Sequence, residues 1–524
     1  MKNLILDCTL RDGGYCNKWE FGRNNIKKII KGLDDANIDI IECGFLTNKI
    51  EYCENRSKYT DIAQLKNFIR KNKDVNSMLV VMVNCNEYDL NELPMNDGII
   101  DGIRLAFHKK DIAKAMKDCS IIINKGYKLF VQPMVSINYS EEEFLELIRM
   151  VNSLRAYAFY IVDSFGVMNK NDLLKLFYLV EQNLDKNIYI GYHSHNNLQL
   201  AFSNAQFILN NYSRHNLIID SSIFGMGRGA GNLNTELIVN YVDNFKYNLS
   251  PIFKIIDEVL MNFYKKNYWG YSLANYISAI NNCHPNYAIY LENKNTLRVE
   301  DINNIFAMMN IDKMSVYDEK YIEKLYIKYL NSKDDFDITN LKEFEEQLEK
   351  REILVVCSGN SINVQKNKIN TFIKEKNPIV ICVNFANDSI PCDYMFFSNI
   401  RRYKKFSEKC LDKNKIIITS NINTDDYYLK LNYGELLNNV EYVKDNSALM
   451  FLKFLAKFKI SKIYIAGLDG FSLNYDNNYY TEDLNFYYNK QQIEHINRGL
   501  KKGITKVSKV MNIISITDFN NIRW

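Results

Sequence analysis

The chain is predicted to be an α/β protein: a (β/α)8 TIM barrel over residues 1–245, a mostly helical accessory segment over 246–345, and an open, Rossmann-like α/β domain over 352–524. Three observations carry this. Eight short β-rich runs alternate with helical patterns up to residue 245, which is the length a closed barrel takes. Those runs are mostly apolar rather than alternating, as expected of parallel strands covered by helices. A new strand–turn–helix pattern begins at Glu352, after a charged stretch from Lys342 to Arg351. At 524 residues the chain also exceeds what one hydrophobic core supports.

The eight strands are read at Leu4–Asp7, Ile38–Cys43, Met78–Val83, Gly102–Ala106, Lys128–Gln132, Phe159–Val162, Ile188–Tyr192 and Leu217–Ser222. Segments of 3.6-residue periodicity lie between them; Ser140 opens one, with three glutamates in its first turn. A doubly wound open sheet is the alternative. It normally carries a Gly-rich dinucleotide loop after the first strand, whereas the loop here is Thr9-Leu10-Arg11-Asp12-Gly13-Gly14.

Composition excludes several function classes. The 66 basic and 62 acidic residues nearly balance, and basic clusters such as Arg401–Arg402 with Lys404–Lys405 are short, so no nucleic-acid partner is expected. The 11 cysteines include no Cys-x-x-Cys pair, which argues against zinc knuckles; Cys43, Cys357 and Cys382 lie in apolar runs and read as buried free thiols. No basic-then-apolar leader and no bilayer-length apolar stretch is found, so a soluble, reduced, cytoplasmic protein is expected.

In a (β/α)8 barrel, chemistry sits where the strands end. Asp12 follows the first strand, His193 and His195 the seventh, and Asn232 the eighth. His-x-His on an extended segment points both imidazoles to one side. Two imidazoles and a carboxylate leave open metal positions for substrate and water. The N/O donors without thiolate favour Mn²⁺ or Mg²⁺ and leave Zn²⁺, Co²⁺ and Fe²⁺ open. A lone His-x-His is usually structural; this one coincides with Arg-Asp-Gly at strand one and a Gly-rich loop at strand eight.

Asp7-Cys-Thr-Leu-Arg-Asp-Gly13, His193-Ser-His195 and Gly225-Met-Gly-Arg-Gly-Ala-Gly-Asn232 resemble the signatures of the DRE-TIM metallolyases, the pyruvate carboxyltransferase-like superfamily, and most resemble its 4-hydroxy-2-oxovalerate aldolases. The resemblance implies that Asp12, His193 and His195 hold a divalent metal, with Asn232 as a further ligand or an orienting group. It implies that Arg11 stabilises an enolate of pyruvate type during carbon–carbon bond cleavage or formation with an aldehyde partner. The chemistry agrees, because an enolate oxygen needs cations arranged around it beforehand.

Other strand-end residues have softer roles. Glu42 orients the metal ligands or meets substrate; Arg104 and Gln132 contact substrate, unless Arg104 is paired; Ser164 meets a substrate carboxylate or shapes a tight turn. The sequence departs from the aldolases at Tyr15, where they carry an acid/base histidine. Tyrosine is a poor base at neutral pH. His284, in Cys283-His-Pro-Asn-Tyr287, is the alternative proton-transfer group, or else caps a helix. An acyl-CoA-dependent condensing enzyme and a non-catalytic metal scaffold are the competing functions, and a homo-oligomer is left open.

In the last domain, strand Ile353–Cys357 runs through Ser358-Gly-Asn-Ser361 into a helix, a generic anion site without a P-loop lysine. With Val383-Asn384-Phe385, Asp393-Tyr-Met-Phe-Phe-Ser-Asn399 and Ile463-Tyr-Ile-Ala-Gly-Leu-Asp469, it weakly resembles bacterial sialyltransferase-like, nucleotide-sugar-binding domains. That resemblance implies a nucleotide site at Gly359, Asn360, Ser361, Asn384 and Asn399. It leaves open a bifunctional chain with a glycosyltransferase half or a purely binding or tethering domain, and the pairing with an aldolase suggests surface-polysaccharide sugar biosynthesis.

Overall fold

The computed structural model describes residues 3–69, 75–211, 213–242, 245–294, 296–332, 336–386, 389–409, 412–474, 477–481, 490–518 and 521–522. Eight parallel strands close on themselves: β1 (Asn3–Asp7), β2 (Ile40–Leu46), β3 (Met78–Asn84), β4 (Gly102–Phe107), β5 (Lys128–Pro133), β6 (Ala158–Asp163), β7 (Tyr189–Ser194) and β8 (Leu217–Ser221). Strand β1 pairs with both β8 and β2, which shuts the barrel, and a two-residue strand at Lys58–Tyr59 adds to the edge of β2. The predicted (β/α)8 barrel is therefore present.

Strand residues point alternately outward and inward, and the two sets do different work. The outward set, among them Ile5, Ile41, Val81, Ile103, Val131, Ile161 and Ile219, packs under the surrounding helices as the main core. The helix Glu141–Leu154 shows how that packing is anchored. Its N-terminus is held by a reciprocal capping box between Ser140 and Glu143, and it buries Phe144, Leu147, Ile148 and Val151 at helical spacing.

The inward set is layered. Leu4, Leu6, Ile40, Val80, Phe130, Ala158, Tyr160 and Ile218 form an apolar interior cluster. Interleaved with them at the same parity are Glu42, Arg104, Gln132, His193 and Asp220, all buried. The strands thus read as apolar throughout because both faces are covered, yet one interior layer is charged.

Two compact units make up the chain: Met1–Ile289 with Ile311–Tyr317, and Tyr290–Asn310 with Asp318–Trp524. The helices of 246–345 are divided between them. The second unit is a seven-stranded, all-parallel open sheet: β9 (Ile353–Val356), β10 (Ile379–Val383), β11 (Tyr394–Phe397), β12 (Ile416–Thr419), β13 (Leu429–Leu431), β14 (Lys462–Ala466) and β15 (Asn512–Ser515). Their spatial order is β13-β12-β11-β10-β9-β14-β15, so the winding reverses between β9 and β14. Cys382, expected as a free thiol, is instead joined to Cys392, because β10 and the turn before β11 bring the two residues together across a separation of 10. Cys43 and Cys357 are free and buried. No helix among the described residues is long and apolar enough to cross a membrane.

One glycine ties barrel closure to the charged layer. A Cβ on Gly191 would stand 2.4 Å from the ring of Tyr160, which is fully buried beneath Arg104. Gly191→Ala is expected to destabilise the barrel by about 1–3 kcal/mol through overpacking, read as a lower urea midpoint by circular dichroism.

Candidate metal centre and active site

The loop after β1 delivers Arg11 and Asp12 to the barrel mouth, and Trp19 Nε1 fastens the Arg11 carbonyl at 2.7 Å. His193 lies in β7, and His195, two residues on, pairs with Asn232 in an isolated bridge. Asp12, His193 and His195 are all buried, and each offers a ligand atom within 4.8 Å of the others. Asn232 donates from Nδ2 to Asp12 Oδ2 at 2.7 Å, and its own buried Oδ1 has no hydrogen-bond partner. A Cβ on Gly227 would fall 2.2 Å from that amide nitrogen, so the loop needs glycine there for backbone to pass close to Asn232.

Beneath these groups runs a chain of buried ion pairs. Arg11 donates from Nη1 to Asp12 at 2.6 Å and from Nε to Glu42 at 2.8 Å. Arg104 Nη1 stands 2.8 Å from the same Glu42 oxygen, and its Nη2 contacts Asp220. Asp220 in turn meets His193 Nδ1 at 3.0 Å. Sequence reasoning missed Asp220, since an aspartate inside an apolar β8 carries no motif; its only signal was a charge at an inward-facing position.

Electrostatics follow from this wiring. Burial raises the Asp12 pKa, but Arg11, His195 and His193 outweigh it, and the carboxyl is held well below its ordinary range. Burial also opposes ionisation of Asp220, and the Arg104 charge overcomes it, so its pKa is lowered. His195 is pushed down to about 3, chiefly by desolvation, and is neutral at physiological pH.

These residues fit a divalent metal. An ionised carboxylate faces a neutral imidazole whose Nδ1 is buried without a hydrogen-bond partner, 3.7 Å from Asp12 Oδ2. The second imidazole has its Nδ1 taken by Asp220, which leaves Nε2 as its ligand atom.

The cavity above is lined by Arg11, Asp12, Tyr15, Gln132, Ser164, His193, His195 and Arg228, with Phe45 and Met134 among the apolar walls. Glu42 and Arg104, expected at the substrate, do not line it. Both are fully buried in the layer below because inward charges in a barrel must pair, and they pair with each other. Gln132 reaches the cavity, but its amide oxygen, in the orientation that satisfies both ends, accepts from Arg104 Nη2 at 2.8 Å. Ser164 Oγ accepts from Val135 N at 2.9 Å and keeps its own proton to donate, while the tight turn is made by Asp163, which accepts from Val167 N and Met168 N. His284 does not line the cavity; it packs against Phe165 at 6.4 Å, and burial and Arg228 lower its pKa to about 3.

Residues 99–257 match the HMGL-like family model. The match supports the DRE-TIM metallolyase superfamily for the barrel. Among relatives of this HMGL-like barrel are two proteins named 4-hydroxy-2-oxovalerate aldolase. The one from Geobacillus genomosp. 3 is 25% identical over 279 residues, covering 48% of this chain and 74% of the relative. The one from Carboxydothermus hydrogenoformans is 28% identical over 261 residues, covering 49% and 75%. A solved HMG-CoA lyase from Brucella melitensis aligns at 16% identity and a TM-score of 0.40, over 49% of this chain and 96% of its own. The HMGL-like match supports metal-dependent carbon–carbon lyase chemistry, and the barrel has a buried Asp/His/His cluster that could hold a divalent ion.

In the second unit, a separate cavity lies at the β9/β14 reversal, where open α/β sheets bind ligands. Gly359, Asn384 and Asn399 line it; Asn360 and Ser361 do not. The expected anion position at the helix after β9 is filled by the chain itself, since Asp469 accepts from Ser361 N at 2.7 Å and from Ser361 Oγ at 2.5 Å. Asn399 caps the helix Ile400–Phe406, and Asn384 accepts from Ser398 N at 3.0 Å.

If Asp220 orients His193, Asp220→Asn should weaken Mn²⁺ binding to the full chain by about 10–100-fold, measured by titration calorimetry, with the circular dichroism spectrum retained.

Proposed function

We propose that the barrel is a class II aldolase that forms or cleaves the carbon–carbon bond next to the carbonyl of a pyruvate-type 2-oxo acid, with an aldehyde as partner. The carrying observation is that the Asp12–His193–His195 cluster and Arg11 open on one cavity, and Arg11 Nη2 is buried without a partner. Asp12, His193 and His195 would hold the ion, with Asn232 as a fourth donor or as the clamp on Asp12. The N/O donor set suits Mn²⁺ or Mg²⁺. Bound there, a divalent ion supplies Lewis-acid charge to a carbonyl oxygen.

The chain's own residues do the rest. Arg11 Nη2 donates to the oxygen on which enolate charge develops; its other nitrogens are fixed on Asp12 and Glu42, so no reorganisation is needed. Ser164, which lines the cavity and keeps its Oγ–H to donate, takes the substrate carboxylate in this reading. Tyr15 stands at the mouth, 41% exposed, and the surrounding protein raises its pKa further, with Arg228 opposing. A phenol with a raised pKa stays protonated at neutral pH, so it serves as the proton donor to the aldehyde oxygen and not as the base. His284 Nδ1 accepts from Asn286 N, which puts the ring proton on Nε2, and His284 is a weaker candidate for the base.

Pyruvate with a panel of aldehydes should give aldol product, whereas acetyl-CoA with 2-oxo acids should release no thiol; thiol release in the second set alone would favour a condensing enzyme. Tyr15→Phe is expected to lower kcat by about 10²–10⁴-fold with little change in the KM for pyruvate. Full activity in both Tyr15→Phe and His284→Ala would remove both from proton transfer.

For the second unit, a nucleotide or nucleotide-sugar ligand is supported by a polar cavity at the sheet's reversal point, lined by Gly359, Asn384 and Asn399. Such a ligand beside aldolase chemistry suits surface-polysaccharide sugar biosynthesis. Thermal shifts of the full chain with CMP, UDP and GDP test this; stabilisation by at least one is expected, and none would end the reading.

A further inference from the structure

One charged residue in the barrel cavity is given no substrate group in the aldolase reading. Arg228 sits in the loop after β8, half-buried, and lines the cavity beside Tyr15, Ser164 and His195. Its Nη2 donates to Ser164 O at 3.1 Å, its guanidinium lies 5.5 Å from the Tyr15 ring centroid, and its Nε is buried without a partner. The loop around it is fastened. Asn197 accepts from Ala230 N at 2.7 Å while donating to Phe165 O at 2.9 Å, and Gly229 takes φ +67 to pass over it. Arg228 is thereby held at the cavity wall.

The two guanidiniums of this cavity differ in one respect. Arg11 is neutralised by two carboxylates, Asp12 and Glu42. Arg228 has no carboxylate within ion-pair distance among the described residues. The acid its charge reaches is Asp12, which is already paired with Arg11. A partly desolvated guanidinium without a counter-ion is costly unless an anion arrives to pair with it.

Position decides which anion. Arg11 and the metal cluster form the cavity floor, where the 2-oxo acid belongs. Arg228 lies over the ring of Tyr15, at the mouth, where the partner carbonyl receives its proton. We propose that Arg228 is the docking point for a carboxylate or phosphate carried by the second, carbonyl-bearing substrate, which makes this an aldolase for anionic acceptors. The inference rests on the aldolase reading above. A guanidinium offers two parallel N–H donors to either oxyanion, so carboxylate and phosphate share the same recognition chemistry.

The test uses the Mn²⁺-loaded full chain with pyruvate and three acceptors: butanal, succinic semialdehyde and glycolaldehyde phosphate. At least one anionic acceptor should exceed butanal in kcat/KM by about tenfold or more, the worth of one charge-assisted pair. Arg228→Ala should remove most of that preference by raising the KM of the anionic acceptor at least about fivefold more than that of butanal, and Arg228→Lys should restore part of it. Equal use of all three acceptors by the unaltered protein would overturn the proposal, as would a loss in Arg228→Ala that falls equally on butanal. Which anionic acceptor leads distinguishes carboxylate from phosphate.

Exchange of pyruvate methyl protons with solvent, measured without acceptor, reads the underlying function separately. If exchange is absent, the aldolase reading fails, and calorimetric titration with succinate and inorganic phosphate decides the anion site by itself. Binding that weakens about tenfold in Arg228→Ala supports the site; no binding, or binding unchanged in the variant, overturns it.

Discussion

Charge buried inside a barrel has nowhere to go but to other charge. In this chain the run Asp12–Arg11–Glu42–Arg104–Asp220–His193 crosses the interior as alternating acid and base, with each of Arg11, Glu42, Arg104 and Asp220 touching two neighbours. Such a chain costs several kcal/mol of desolvation per ion, and removing one member would strand the others at about 3–5 kcal/mol. What it achieves is position. Two of the three candidate metal ligands, Asp12 and His193, are its two ends, so ligand placement is set by the same contacts that make the interior tolerable. The apolar layer below and the cavity above depend on it, since Tyr160 packs beneath Arg104 and Arg11 presents its free nitrogen from it.

The consequence for chemistry is pre-organisation. Arg11, Asp12 and Glu42 are held in one arrangement before any substrate enters, in surroundings where each interaction is stronger than in water. The loop after β8 adds rigidity from the other side: Gly227 lets backbone approach Asn232, and Asn232 clamps Asp12. Against this fixed floor the mouth is softer. Tyr15 is partly exposed, and Arg228 has no carboxylate within ion-pair distance among the described residues, so the proposed acceptor site lies in a different layer from the proposed enolate site.

The second unit illustrates how a local pattern is overruled by its neighbourhood. A strand, a Ser-Gly-Asn-Ser turn and a helix suggest an anion site, because helix N-termini present free N–H groups. Here β14 brings Asp469 onto those groups, and the side chain does what a ligand anion would have done. Gly359 is required for this, since a Cβ would meet the Asp469 carboxylate at 2.6 Å. The cavity beside it remains, lined by residues of other strand ends.

Sequence alone was sufficient for the barrel and for naming Asp12, His193 and His195 as candidate ligands, which the fold brings together. Eight apolar runs with helical spacing between them leave little but a closed parallel barrel. His193 and His195 share a side because extended chain repeats every two residues, and Asp12 lies where strand β1 ends. These are local rules, readable along the chain. Tertiary structure decided who pairs with whom. Glu42, Arg104 and Asp220 are 62 and 116 residues apart along the chain in successive pairs and meet only because β2, β4 and β8 turn the same parity inward. The same holds for Arg228, which has no carboxylate in ion-pair distance among the described residues, and for Ser361, which has one: these are properties of neighbours that only the folded chain brings near.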